Sequence, residues 1–278
     1  MATEHPPNGA AIQHSPAITL DDVRAVYTGP EGDLWELLMG QQIHLGGYKS
    51  SLALAELAAI TAGLHGVDLC CCNGAGMRFL VRFRGVAAMI GVDATAATLA
   101  RGRARTTAEG LDGQIRFVHA DVCQSGLPDH AADFVWGEDA WCYVIDKAQL
   151  VDEARRILKP GGIIAFTDWL AGPVAMIPAE LARLLAFMKF PNLQTRAGYR
   201  ELLSQHGGTV VVAADTGRFA PCVDLYLAMV DQQLSYDALR ILDFNAAALA
   251  ALAAEMQFLG ELAHAGKIIQ GRLVAKTR

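Results

Sequence analysis

Apolar positions along this chain change their period several times, and each change marks an element. From Thr19 to Met39 they recur at helical spacing, and Thr19 with Asp22 forms a plausible N-terminal capping pair. The glycine-containing stretch QQIHLGGYKS (41–50) predicts a loop, and Ser51 to Ala62 a second helix ended by Gly63. Beyond it, short apolar runs alternate with amphipathic segments. GVDLCC, AAMIGV (87–92), QIRFVHA (114–120), ADFVWG (132–137) and GIIAFTD (162–168) read as strands. Met77–Arg84, 95–109 and 147–158 read as helices, with the turn LKPGG (158–162) setting the approach to the fifth strand. GTVVVAAD (208–215) and KIIQGRLVAKT (267–277) supply two more strands.

Strands and helices alternating at these lengths predict an α/β fold, a doubly wound parallel sheet of seven strands with helices on both faces. Two helical insertions, about 171–194 and 222–264, follow the fifth and sixth strands and are expected to cover the sheet's carboxyl edge, where ligands bind in such folds. The expected organisation is a loose tail (1–18), a helical cap (19–63) and a core (64–278) carrying both insertions.

Composition narrows the function. Apolar residues make up 53% of the chain and charged residues 19%, enough to bury a large core, and the net charge of −6 argues against a nucleic-acid partner. The longest apolar stretch, Ala246 to Ala254, stops at Glu255, so membrane insertion is not expected. The first residues lack a basic-then-apolar leader, and with six cysteines this predicts reduced thiols in a cytoplasm.

Candidate chemistry gathers at the strand ends. Strand one runs into VDLCCCNGAG (67–76); strand two ends at Asp93, placed to accept both hydroxyls of a ribose, with Ala94 beside it. Strand three ends in HADV, putting Asp121 beside an adenine amine and Val122 on the ring. Adjacent cysteines in an extended chain point to opposite faces, so Cys70, Cys71 and Cys72 cannot all face one ion, and no metal site is expected.

Taken in order, VDLCCCNGAG, GVD, HADV, DFVWGEDAW and ARRILKPGGIIAFTDW resemble the class I S-adenosylmethionine-dependent methyltransferases, over about residues 35 to 170. IHLGGY and GEDAWCYVIDK are most similar to the branch acting on small metabolites, which includes sarcosine and dimethylglycine N-methyltransferases, sugar O-methyltransferases and quinone or prenyl C-methyltransferases. The resemblance implies a Rossmann-like sheet, S-adenosylmethionine as cofactor and a small-molecule acceptor, with a homodimer allowed. It assigns Asp68, Cys70, Cys72, Asn73, Gly74, Asp93, Ala94, Asp121, Val122, Gly137 and Glu138 to the cofactor. Asp139, Glu138 and His44 become the catalytic candidates, and Trp35, Tyr48, Trp141, Tyr143, Arg196 and Tyr199 the acceptor pocket. Arg200 joins that group as a further candidate for an anionic acceptor.

The chain departs from the family's glycine-rich turn by carrying cysteine at 70 and 72. Two small, readily buried side chains then occupy places where glycine's left-handed freedom is expected, with Asn73 tolerant of that region. A nicotinamide-dependent oxidoreductase and a non-catalytic S-adenosylmethionine-binding protein stay open as alternatives.

Overall fold

A computed structural model describes Gln13–His14 and residues 18–277. The rest of the expected tail lies outside the described residues. Strands β1 (His65–Leu69), β2 (Ala88–Asp93), β3 (Ile115–His119), β4 (Ala132–Glu138), β5 (Leu158–Ala171), β6 (Gly208–Asp215) and β7 (Ile268–Thr277) form one sheet. Their spatial order is β3-β2-β1-β4-β5-β7-β6. Pairing is parallel from β3 to β5, but β7 runs antiparallel between β5 and β6, so the sheet is mixed rather than wholly parallel. The reversal follows from connectivity, because the helical insertion carries the chain back before β7 begins.

Helices α1 (Leu20–Thr28), α2 (Pro30–Met39) and α3 (Gly47–Leu57) precede the sheet. Thr19 and Asp22 cap α1 reciprocally, as their spacing predicts. The single helix expected over 19–39 is two, because Gly29 is extended and Pro30, lacking an N–H, starts a new helix. Helices α4 (Ala75–Arg84), α5 (Ala96–Ala108), α6 (Lys147–Ile157) and α8 (Arg196–Gln205) flank the sheet, and α7 (Pro178–Met188) forms the first insertion. The second contains α9 (Phe219–Met229), a π-turn, α10 (Ser235–Ile241) and α11 (Ala246–His264). Pro160 and Gly161 lie inside β5, not in a turn ahead of it; Gly161 takes φ 76° where the β4–β5 register shifts.

Helix α11 corrects one reading of the sequence. With a mean hydropathy of 1.3 over 18 of its 19 residues, it is long and apolar enough to cross a membrane. Glu255 and Glu261 do not interrupt the helix, and Met256, Phe258, Leu259 and Leu262 bury its second half.

Among the described residues three apolar clusters make the core. Val67, Val135, Leu150, Phe166 and Tyr199 fill one face of the sheet, and Leu54, Met77, Phe79, Phe117 and Trp136 the other. The third joins Trp35, Leu45, Trp169, Phe190, Phe219 and Leu259, tying the N-terminal helices and both insertions over the edge of the sheet.

Candidate active site

A cavity of about 280 Å³ opens at the carboxyl ends of β1 to β4, roofed by Leu20, Val23 and Tyr27 of α1. These three recur at i, i+3 and i+7 and so share one face of the helix. Arg24 donates from Nε to the Ala94 carbonyl at 3.1 Å, fastening that roof to the end of β2.

One wall comes from the turn after β1. Cys70 (φ 69°) and Cys72 (φ 48°) both sit in the left-handed region and both line the cavity. Cys71, between them, points the other way and packs against Gly91 and Met77. Asn73 is not left-handed, contrary to expectation. Its side chain accepts from Ala75 N–H and donates to the Gln41 carbonyl, closing the turn against the loop before α3. Gly74 (φ 73°) caps α4 and packs under Phe117. Burial pushes the Cys72 thiol up to about 12 and Cys70 well above its ordinary value, so neither is a thiolate near neutral pH.

Asp93 ends β2. Its Oδ2 accepts from Cys72 N–H at 2.9 Å and its Oδ1 from Thr95 N–H at 2.8 Å, so the carboxylate braces the turn while facing the cavity. Burial raises its pKa, partly offset by those two donors. Ala94, Asp121 and Val122 line the same wall, and Asp121 Oδ1 accepts from Cys123 N–H at 2.9 Å.

At the opposite end stand Glu138 and Asp139. Asp68 lies buried behind them at the end of β1, its pKa raised by burial and by Glu138 and Asp93. A Cβ on Gly76 would meet Glu138 Oε2 at 2.8 Å and Asp68 Oδ2 at 3.6 Å. A side chain at that position would crowd the Glu138 carboxylate at the first turn of α4, where helix polarity favours negative charge, whereas Asp68 stays at ordinary contact distance. Glu138 Oε1 accepts from Ser51 Oγ–H at 2.6 Å and lies 3.3 Å from His44 Nε2. Asp139 (φ 51°) accepts Leu45 N–H at 2.8 Å and the Gln270 amide at 2.7 and 3.0 Å, so donors already engage both of its oxygens. Gly137 passes beneath Trp141, whose Nε1 would lie 2.5 Å from an added Cβ.

A smaller cavity adjoins the first at Tyr27, Ile43, Asp139 and Tyr143 and is walled by Trp35, Met39, His44, Trp169, Met188 and Phe190. Tyr27 and Tyr143 pack edge to face at 5.6 Å, and burial raises both phenols.

Of the acceptor candidates, Trp35 and Tyr143 reach these cavities and five residues do not. Tyr48 is 45% exposed and packs on Phe79 and Phe83 outside. Trp141 is wholly buried, stacked 4.1 Å from Phe166. Tyr199, also buried, donates its hydroxyl to Asp168 at 2.7 Å. Arg196 is exposed at the start of α8, as is Arg200 one turn on, because that helix buries only Tyr199 and Leu203. Tyr27, Ser51 and Gln270 belong to the site although sequence reasoning does not single them out. Tyr27 carries a signal in the apolar face of α1, whereas Ser51 and Gln270 reach the site only through tertiary contacts.

Residues 67–166 match the family model described as a methyltransferase domain. Over 179 residues the chain is 31% identical to a dimethylglycine N-methyltransferase of Parasynechococcus marenigrum, covering 58% of this chain and 61% of that one. Over 117 residues it is 31% identical to a sterol 24-C-methyltransferase of Gibberella zeae, covering 42% of this chain and 30% of that one. The chain thus spans less than two thirds of the length of either relative. A phosphoethanolamine N-methyltransferase of Haemonchus contortus, solved with phosphomonomethylethanolamine and S-adenosylhomocysteine, superposes with a TM-score of 0.80. It is 20% identical, covers 92% of this chain and 58% of that one, and establishes the shared fold.

Proposed function

We propose, with a methyltransferase domain at residues 67–166 as the premise, that this chain transfers a methyl group from S-adenosylmethionine to a small molecule in the cytoplasm. One observation carries the reading. Asp93 and Asp121, at the ends of neighbouring strands, face one end of a single cavity whose other end is bounded by Glu138 and Asp139. That spacing of carboxylates suits a cofactor with a ribose and adenine at one end and an ammonium group at the other. Asp93 would take the ribose hydroxyls, Asp121 Oδ2 the adenine amine and Glu138 the ammonium, with Asp68 adding negative potential behind it. Cys70 and Cys72 would supply a close, uncharged wall. Among the described residues no basic side chain lines the cavity, which fits a sulfonium cofactor better than the pyrophosphate of a nicotinamide dinucleotide.

Bound there, the cofactor supplies an already electrophilic methyl group. The protein's work is then to align the acceptor, exclude water and receive a proton where the acceptor carries one. Free thiols at all six cysteines accord with a reducing compartment. Calorimetric titration with S-adenosylmethionine and, separately, NAD tests the cofactor, and release of S-adenosylhomocysteine with pooled metabolites tests turnover. Binding of NAD alone would overturn the proposal, and cofactor binding without turnover on any metabolite would favour a non-catalytic binding protein.

A further inference from the structure

Arg78 sits where stability alone would not put a cation. It is the fourth residue of α4 and only 3% exposed. Helical side chains lean toward the N-terminus of their helix, and its guanidinium reaches back to the Asn73 carbonyl, at the end where helix polarity disfavours positive charge. Burial also works against the charge and lowers its pKa, despite the opposing pull of Glu109.

The contacts show what the guanidinium does there. Nη1–H donates to the Asn73 carbonyl at 2.7 Å, Nη2–H donates to Gln41 Oε1 at 2.9 Å, and Nε lies 2.9 Å from Glu109 Oε1 just past the end of α5. Asn73 adds a parallel link, donating from Nδ2 to the Gln41 carbonyl at 3.0 Å. A Cβ on Gly102 of α5 would meet the Asn73 carbonyl oxygen at 2.8 Å, so that oxygen is enclosed and Arg78 supplies its donor.

The two segments joined in this way bound different parts of the site. Asn73 follows Cys72, which lines the larger cavity at φ 48°. Gln41 opens the loop 41–45, whose Ile43 lines both cavities and whose His44 lines the smaller one. Gly40 (φ 73°) and Gly46 (φ 85°) flank that loop, so its backbone alone constrains it weakly. Gln42 Nε2–H on Ser51 Oγ holds its middle, and Leu45 N–H on Asp139 holds its far end. At the near end the ties are those from Gln41 to Arg78 and Asn73.

Resting on the methyltransferase reading above, we infer that Arg78 is a positioning residue that ties the turn after β1 to loop 41–45, so that a cofactor seated on the turn also fixes the loop. A lysine could not replace it, because one ammonium lacks the rigid fork that spans the Asn73 carbonyl, Gln41 and Glu109. The coupling is reciprocal: whatever order the cofactor brings to the loop, the loop returns as cofactor affinity.

Hydrogen–deuterium exchange of the full chain, with and without saturating S-adenosylhomocysteine, reads this coupling whatever the acceptor is. The ligand should slow exchange in peptides covering 66–76. In peptides covering 41–46 it should slow exchange by about 10-fold or more, the scale of one hydrogen bond to a charged group. Gln41 is exposed, so Q41L removes the acceptor without opening the core. In Q41L the slowing at 41–46 should fall below about 3-fold while that at 66–76 persists, and S-adenosylhomocysteine affinity should drop by about 3-fold or more. Q41E keeps an acceptor for Nη2 and should restore both. R78K should behave as Q41L does, and adding Q41L to R78K should cost nothing further. The Gln41 pair decides the matter even if R78K does not fold. A loop still protected in Q41L, a Q41E that behaves as Q41L does, or additive losses in the double variant overturns the inference. A lower thermal midpoint with the coupling intact also overturns it, because Arg78 then only stabilises the fold. If S-adenosylhomocysteine leaves 66–76 of the wild type unprotected, the methyltransferase reading itself fails, and the inference with it.

Discussion

Replacing Cys72 by glycine should stabilise the protein, and replacing it by alanine should not. Cys72 holds φ 48° at the edge of the larger cavity, a conformation that costs a residue with a Cβ about 1–2 kcal/mol. Glycine removes that cost but gives the unfolded chain more freedom, worth about 0.4–1 kcal/mol in the opposite direction. The balance is a gain of roughly 0.5–1 kcal/mol, or about 1–4 °C in the thermal midpoint for a chain of this size. Alanine keeps the Cβ and therefore the strain, so it isolates the backbone from the thiol. Cys70, at φ 69°, also packs its side chain against the core, and giving up that apolar burial should cancel most of the gain from a glycine there. Scanning calorimetry of the ligand-free protein under reducing conditions measures all three variants. Equal midpoints for the glycine and alanine variants at 72, or a lower one for glycine, would refute the reasoning.

Asp93→Ala should weaken S-adenosylmethionine binding by about 10- to 150-fold, the loss of one charge-assisted bond of roughly 1.5–3 kcal/mol; an unchanged calorimetric Kd would remove Asp93 from the site. Gly137→Ala places a Cβ 2.5 Å from Nε1 of the immobile Trp141 and should cost about 1–3 kcal/mol, read as a lower urea midpoint with unchanged slope. Burial lifts the Asp168 carboxyl from its usual 3.8 to about 6 against the opposing pull of Lys147. A raised acid binds its proton more tightly in the folded state, so its contribution is full below about pH 4 and is lost as pH rises through 6. Asp168→Asn should flatten that decline, which amounts to about 3 kcal/mol at most, in urea titrations at pH 4.5 and 7.

The gathering of Cys70, Cys72, Asp93 and Asp121 at one end of the cavity was legible in the sequence because its parts are local. A strand, its terminal carboxylate and the next turn are neighbours in the chain, and parallel pairing brings Asp93 to Cys72 across only 21 residues. The same logic located the left-handed positions at 70 and 72, since a tight turn demands a backbone shape whichever residue fills it. The end bounded by Glu138 and Asp139 was less legible. Trp141 and Tyr199 carry the right chemistry, but spacing does not say which side of a sheet an aromatic ring will fill, and both went to the core. Asp139 was placed correctly at the end of β4, yet what engages it, Leu45 and Gln270, lies 94 and 131 residues away. The reversed direction of β7 escaped notice for the same reason, since hydrophobic alternation carries no sign.

The bond from Gln270 to the Leu45 carbonyl closes a span of 225 residues. A chain emerging from the ribosome can pair β1 with β2 and set Asp93 against Cys72 while its last strand is still unmade. The cradle around Asp139 cannot be finished then, because β7 has to slide between β5 and β6 to deliver Gln270. Synthesis therefore imposes an order, in which the end of the cavity around Asp93 matures first and the end around Asp139 is completed by the final strand of the sheet.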